Sequence, residues 1–264
     1  MPPAKRKSRV YSLDKTRTAV LAQFGNVRKA VEGLTPEQLA GPTRLGDWTV
    51  RELAAHITMA TSAIARGLAV PGLAKAELTP QDWPMTSAPH AQDIAAYVTG
   101  LAADNDLAAL YADATSSLEQ ALADHPGDQL VANRTGVMTL ADYLPTRTVE
   151  LIVHTDDLND AVPDLDIPYD RQALAACTRI LADALATKAP GASTEVRVPP
   201  FAVVQCVEGP RHTRGTPPNV VETDPLTWIR LATGRTTWAA AVEAALVSAS
   251  GERANLADLL PIMA

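Results

Sequence analysis

Asp47-Trp48-Thr49-Val50-Arg51-Glu52-Leu53-Ala54-Ala55-His56-Ile57 decides how the front of this 264-residue chain folds. Asp47 or Thr49 offers a helix cap, and Glu52 stands three residues after Thr49, as a capping box requires. Val50, Leu53, Ile57, Ile64 and Leu68 then form an apolar stripe at three- and four-residue spacing, so this helix packs one face against others. Ahead of it, Leu13, Ala19, Val20, Phe24, Val27 and Val31 repeat the spacing and Gly33 ends it, which predicts a helix over 12–33. Pro36, Gly41, Pro42 and Gly46 make 34–47 a loop, within which Thr35-Pro36-Glu37 can open a short turn. Four prolines make 70–90 an irregular connection long enough to line a site. Ile94, Tyr97, Leu101, Leu107, Leu110 and Leu118 predict one long helix over 93–123, stopped by His125-Pro126-Gly127. Thr139, with Asp142 three residues on, caps a fourth helix reaching about Val162, with Pro145 tolerated in its first turns. Aromatics are only 4% of the chain while Ala and Leu recur, which suits close-packed helices. Four helices with one long crossover predict a bundle over 13–165.

Composition changes after Pro163-Asp164-Leu165-Asp166-Ile167-Pro168, a linker. A second unit over 169–264 opens with a helix over 170–188. Thr194-Glu195-Val196-Arg197-Val198 and Phe201-Ala202-Val203-Val204-Gln205-Cys206-Val207 read as strands, Val220-Val221 as a third, and Asp224-Pro225 starts another helix through Leu231. That order is α+β. A 47% hydrophobic content supplies a core, and a net charge of −7 disfavours a nucleic-acid backbone as partner. No apolar run approaches the length of a membrane span, and the basic residues Lys5, Arg6, Lys7 and Arg9 lead no signal-peptide core, so 1–12 reads as a flexible basic tail. Two distant cysteines, Cys177 and Cys206, form no metal or disulfide motif and read as core residues in a reducing, cytoplasmic setting.

In Glu150-Leu151-Ile152-Val153-His154 a carboxylate and an imidazole stand four residues apart and share a helical face, where both can reach one small ion. His56, on the face that buries Leu53 and Ile57, is the candidate third ligand. Two histidines and one glutamate make a catalytic rather than a structural zinc set, since a fourth position stays open for water or a thiol. Asp157 can orient a ligand from behind. Spacing alone leaves the other reading open: ExxxH arises by chance, and a core histidine is ordinarily hydrogen-bonded rather than metal-bound.

The segments 47–56 and 147–158 together resemble the two hallmark segments of the mycothiol-dependent maleylpyruvate isomerase family, within the DinB-like four-helix-bundle metalloenzymes. The resemblance covers roughly 13–162. It implies that His56, Glu150 and His154 bind a divalent metal, zinc above all, and that mycothiol or a similar low-molecular-weight thiol is the cosubstrate, acting on an electrophilic small molecule. The expected activity is isomerisation or S-transfer. A coordinated thiol loses its proton and becomes a nucleophile at neutral pH.

Val198-Pro199-Pro200-Phe201, Val207-Glu208-Gly209-Pro210-Arg211-His212-Thr213-Arg214-Gly215, the stretch 224–235 and the end 250–261 resemble a bacterial sterol-carrier-protein-like domain. Arg211, His212 and Arg214, in a loop shaped by Gly and Pro, can clamp an anion; Arg235 is a second candidate for a substrate carboxylate. Each reads equally as a surface cation tied to Glu208, Glu222 or Asp224. Trp83, in the Pro-rich connection, is the tryptophan assigned to ligand contact; Trp48, Trp228 and Trp238 read as packing residues. The competing functional classes are a lipid or apolar-ligand carrier built on the C-terminal unit, and a regulatory protein that keeps a metal site without turnover.

Overall fold

The computed structural model describes residues 9–86, 88–209 and 219–263. Its chain divides into two units. One comprises Tyr11–Thr79 and Pro89–Leu174; the other comprises the described residues of Met1–Val10, Pro80–Ala88 and Ala175–Ala264.

The first unit begins with α1 (Leu13–Val31), the single turn α2 (Pro36–Leu39) and α3 (Val50–Leu68). The Thr49–Glu52 capping box forms as the sequence predicts: each side chain answers the other's backbone N–H, which fixes where α3 starts. The predicted single helix over 93–123 is two helices, α4 (Ala91–Asp104) and α5 (Leu107–Asp124). Asn105 between them is extended, and the Asp106 side chain accepts from Ala109 N–H, so local capping ends one helix and starts the next. A hairpin of β1 (Leu130–Asn133) and β2 (Gly136–Thr139) follows, and Thr139 caps α6 (Leu140–Ala161). Helices α1, α3, α5 and α6 pack as the bundle, with α4 against α3.

Phe24 of α1 stacks on Tyr111 of α5 with centroids 5.4 Å apart, and the Tyr111 hydroxyl donates to Ala54 carbonyl on α3 at 3.1 Å. Burying a ring such as Phe24 contributes about 1.5–3 kcal/mol, and satisfying the phenol avoids an unpaired polar group in the core. Near the end of α3, a Cβ on Gly67 would collide with the Ala132 carbonyl and the Val131 side chain, so the helix backbone lies directly on β1.

The second unit contains α7 (Arg171–Lys188) from Ala175 onward, β3 (Thr194–Val198), β4 (Ala202–Cys206), β5 (Val220–Thr223), α8 (Pro225–Ala232), α9 (Trp238–Glu243) and β6 (Val247–Ser250). The sheet order is β4-β3-β5-β6, with β3 antiparallel to β4 and parallel to β5, and β5 antiparallel to β6. Burial alternates along β3 and β4, putting Val196, Val198, Val204 and Cys206 on the packed face. Cys177 and Cys206 are buried and form no disulfide, as the sequence predicts. Arg9, assigned by sequence to a flexible tail, instead pairs with Asp183 on α7 at 2.8 Å. Among the described residues no helix is long and apolar enough to cross a membrane.

Candidate metal centre

α3 contributes His56, and α6 contributes Glu150 and His154 from one face. Their donor atoms all lie within 4.8 Å of one another. Glu150 Oε2 is 3.4 Å from His56 Nε2 and 3.3 Å from His154 Nε2. Those separations are long for charged hydrogen bonds, but donors held tetrahedrally at about 2.0–2.2 Å from one ion stand about 3.3–3.6 Å apart. Two imidazoles and a carboxylate also match the donor preference of a borderline-soft divalent ion. The residues therefore fit a metal.

The surroundings treat the two imidazoles differently. His154 Nδ1 lies 2.8 Å from Asp157 Oδ2, whereas the buried His56 Nδ1 has no hydrogen-bond partner. The Trp48 ring lies against His56, with centroids 5.1 Å apart. Burial holds the His56 pKa below its ordinary value, outweighing the contact with Glu150. Burial also opposes charge on His154, but contacts with Asp157 and Glu150 outweigh it and raise its pKa. For Glu150, burial favours the neutral acid, yet His154, His56 and the Arg147 guanidinium overcome it and hold the carboxyl well below its usual range. The surroundings thus favour an anionic Glu150 and raise the proton affinity of His154, so a bound cation would compete with a proton there.

Three residues around this centre carry no site role in the sequence reading. Arg147 is buried, lies 4.4 Å from the Tyr143 ring centroid and approaches Glu150 Oε1 at 3.8 Å. Arg44, in the loop before α3, donates from Nε to Asp157 Oδ1 at 2.7 Å and from Nη2 to Asp156 Oδ2 at 2.6 Å. Tyr169 donates to Asp156 Oδ1 at 3.0 Å. Asp156 and Asp157 are both buried, and buried carboxylates need a cation, but nothing in the sequence singles out Arg44 as that cation.

Trp83 and Arg235 belong to the second unit, where Trp83 is buried in a 3-10 turn (Trp83–Thr86) and Arg235 donates to Thr233 carbonyl at 2.7 Å. Arg211, His212 and Arg214 fall outside the described residues.

The sequence profile of the mycothiol maleylpyruvate isomerase N-terminal domain matches residues 20–159, more than half of the chain. The chain belongs to the mycothiol-dependent maleylpyruvate isomerase family. A second profile, the bacterial sterol-carrier-protein ortholog, matches residues 170–262. Two solved structures share the fold. A crystal structure of a histidine-to-alanine variant of mycothiol-dependent maleylpyruvate isomerase aligns with a TM-score of 0.59 at 16% identity, covering 91% of this chain and 93% of that one. A crystal structure of mycothiol-dependent maleylpyruvate isomerase aligns with a TM-score of 0.58 at 17% identity, covering 86% and 90%. Curated protein sequences gave no significant match. In this member of the isomerase family, the matched region carries all three clustered donors.

Proposed function

We propose that the protein is a divalent-metal, thiol-dependent isomerase or S-transferase acting on an electrophilic small molecule, with a mycothiol-type thiol as cosubstrate. The convergence of His56, Glu150 and His154 carries this reading, and membership of the isomerase family supports it. His56 and His154 would present their Nε2 atoms and Glu150 its Oε2 to the metal, zinc being the best match for this donor set. Held there, such an ion lowers the pKa of a coordinated thiol so that it is a thiolate at neutral pH.

The remaining work falls to side chains. Asp157 holds the His154 ring through Nδ1, leaving Nε2 free to act as a ligand. Arg147, 3.8 Å from Glu150 Oε1, favours the anionic form of that carboxyl. Helices α3 and α6 fix the donors before any ligand arrives, so little reorganisation is required. Addition of the thiolate sulfur to a conjugated double bond gives a rotatable single bond. The displaced π electrons rest on the conjugated acceptor as an enolate: their return after rotation expels the thiolate and isomerises the substrate, whereas protonation of the enolate carbon from solvent retains the sulfur as an S-conjugate.

Elemental analysis of the purified chain tests the reading, together with turnover of an electrophile with and without a low-molecular-weight thiol. Stoichiometric zinc that is lost in His56→Ala and His154→Ala, with thiol-dependent turnover in the parent only, is expected. A correctly folded parent that takes up no divalent metal overturns the proposal. The sterol-carrier profile over 170–262 favours a second reading, a carrier of apolar ligands, for which co-purified lipid and unimpaired lipid binding in His154→Ala are the discriminating results.

A further inference from the structure

We propose that Arg44 is a positioning residue for the His56–Glu150–His154 centre, acting on His154 through Asp157. The inference rests on the metal-binding reading above. Arg44 lies in the stretch 41–49, which joins α2 to α3 and is held by its own hydrogen bonds. Thr43 N–H and hydroxyl both donate to Trp48 carbonyl at 3.0 and 2.8 Å, and Val50 N–H donates to Gly41 carbonyl at 2.9 Å. Gly46, at φ +63°, allows the turn between them. A loop fixed in this way can present a side chain rigidly.

The side chain it presents bridges α6. The Asp157 side chain is 0% exposed and that of Asp156 is 2% exposed, and Arg44 spans both carboxylates with two nitrogens of one planar group. Its third nitrogen, Nη1, lies 3.5 Å from Asp160 Oδ1. Asp157 divides its two oxygens: Oδ1 accepts from Arg44 at 2.7 Å, and Oδ2 meets His154 Nδ1 at 2.8 Å. A carboxylate anchored on one oxygen by a guanidinium keeps the other aimed in a fixed direction. That direction keeps a proton on Nδ1 of His154, so that Nε2, 3.3 Å from Glu150 Oε2, is the nitrogen that would turn to an ion.

The same loop reaches the other imidazole. Trp48, four residues after Arg44, lies against the His56 ring, whose Nδ1 has no hydrogen-bond partner. One short loop therefore touches both histidines' surroundings, by packing at His56 and by a charged relay at His154. The relay is the directional one, because a ring contact does not choose between imidazole nitrogens.

The test is zinc affinity, measured by competition with a chromogenic chelator on the full chain, with the melting temperature of each metal-free protein recorded alongside. Arg44→Met is expected to weaken zinc binding about 10–100-fold, the usual effect of losing an outer partner of a ligating histidine. Asp156→Asn removes the charge from the other arm of the fork, leaves the Arg44–Asp157–His154 line intact, and is expected to stay within about threefold of the parent. Arg44→Lys keeps the charge but not the fork, so it recovers part of the loss. Should Arg44→Met fail to fold, Arg44→Lys against Asp156→Asn carries the comparison. If Arg44→Met binds zinc as tightly as the parent, or Asp156→Asn weakens binding as much as the Arg44 variants do, Arg44 only fastens a loop and the inference is overturned. A parent that binds no zinc overturns the metal reading itself, a result visible before any Arg44 variant is made.

Discussion

The two units bury different chemistry. Around the middle of α6 the bundle encloses Arg147, His154, Asp156 and Asp157, with Glu150 largely covered beside them. The sheet of the second unit packs on Val196, Val204, Val221, Trp228 and Ile229, and its buried Asp183 is paired with Arg9. Removing charges from water costs several kcal/mol each unless partners compensate, and well-packed apolar side chains often do as well or better. The second core is what stability alone favours. The bundle departs from it at the three clustered donors and the groups supporting them, which marks that region as built for a ligand.

The largest test of this contrast replaces the donors by apolar residues. A chain with His56→Leu, Glu150→Leu and His154→Leu together is expected to hold no metal, yet to unfold within about 2 kcal/mol of the metal-free parent in urea titration. A much larger loss would mean that the donors serve stability, and the contrast would break. Single-partner removal behaves differently: Arg44→Met is expected to lose about 3–5 kcal/mol because two buried carboxylates lose the guanidinium that compensates their charge. Trp228→Ala in the second unit is expected to lose a similar 3–5 kcal/mol by opening a cavity. Metal content separates the two, falling for Arg44→Met and unchanged for Trp228→Ala.

Gly67→Ala is expected to lose about 1–3 kcal/mol in thermal unfolding, since its Cβ meets Ala132 backbone that cannot move aside easily. The smallest effect belongs to the α3 cap. Burial of Glu52 favours its neutral form, but hydrogen bonds from Thr49 N–H, its hydroxyl and Thr99 outweigh that and lower its pKa. A carboxyl with a depressed folded pKa stabilises above its unfolded value, and that contribution fades as the solution is acidified through the folded value. Thr49→Ala is therefore expected to cost about 1 kcal/mol at neutral pH and less below the ordinary carboxylate range, as read from unfolding curves at several pH values.

The bundle helices were legible wherever periodicity and caps agreed, as at Thr49–Glu52 and Thr139–Asp142. The break at Asn105 was not, because Leu101, Leu107 and Leu110 continue an apolar rhythm across it; only the cluster Asp104-Asn105-Asp106 signals a cap. The β1–β2 hairpin escaped notice because each strand has four residues, too few for alternation to stand out. In the second unit α9 and β6, of six and four residues, went unassigned for the same reason. At the site, the four-residue step from Glu150 to His154 is a local property of a helix and could be read directly. The Arg44–Asp157 contact joins residues 113 positions apart, and only the folded chain reveals which cation meets the buried acids.

The seat of α3 on the hairpin has a mechanical consequence. Gly67 closes the helix that carries His56, and β2 runs without a gap into the helix that carries Glu150 and His154. With no side chain between the α3 backbone and β1, the hairpin works as a strut joining the far ends of both donor-bearing rods. A push on the Asn133–Gly136 tip would bear on both rods at once.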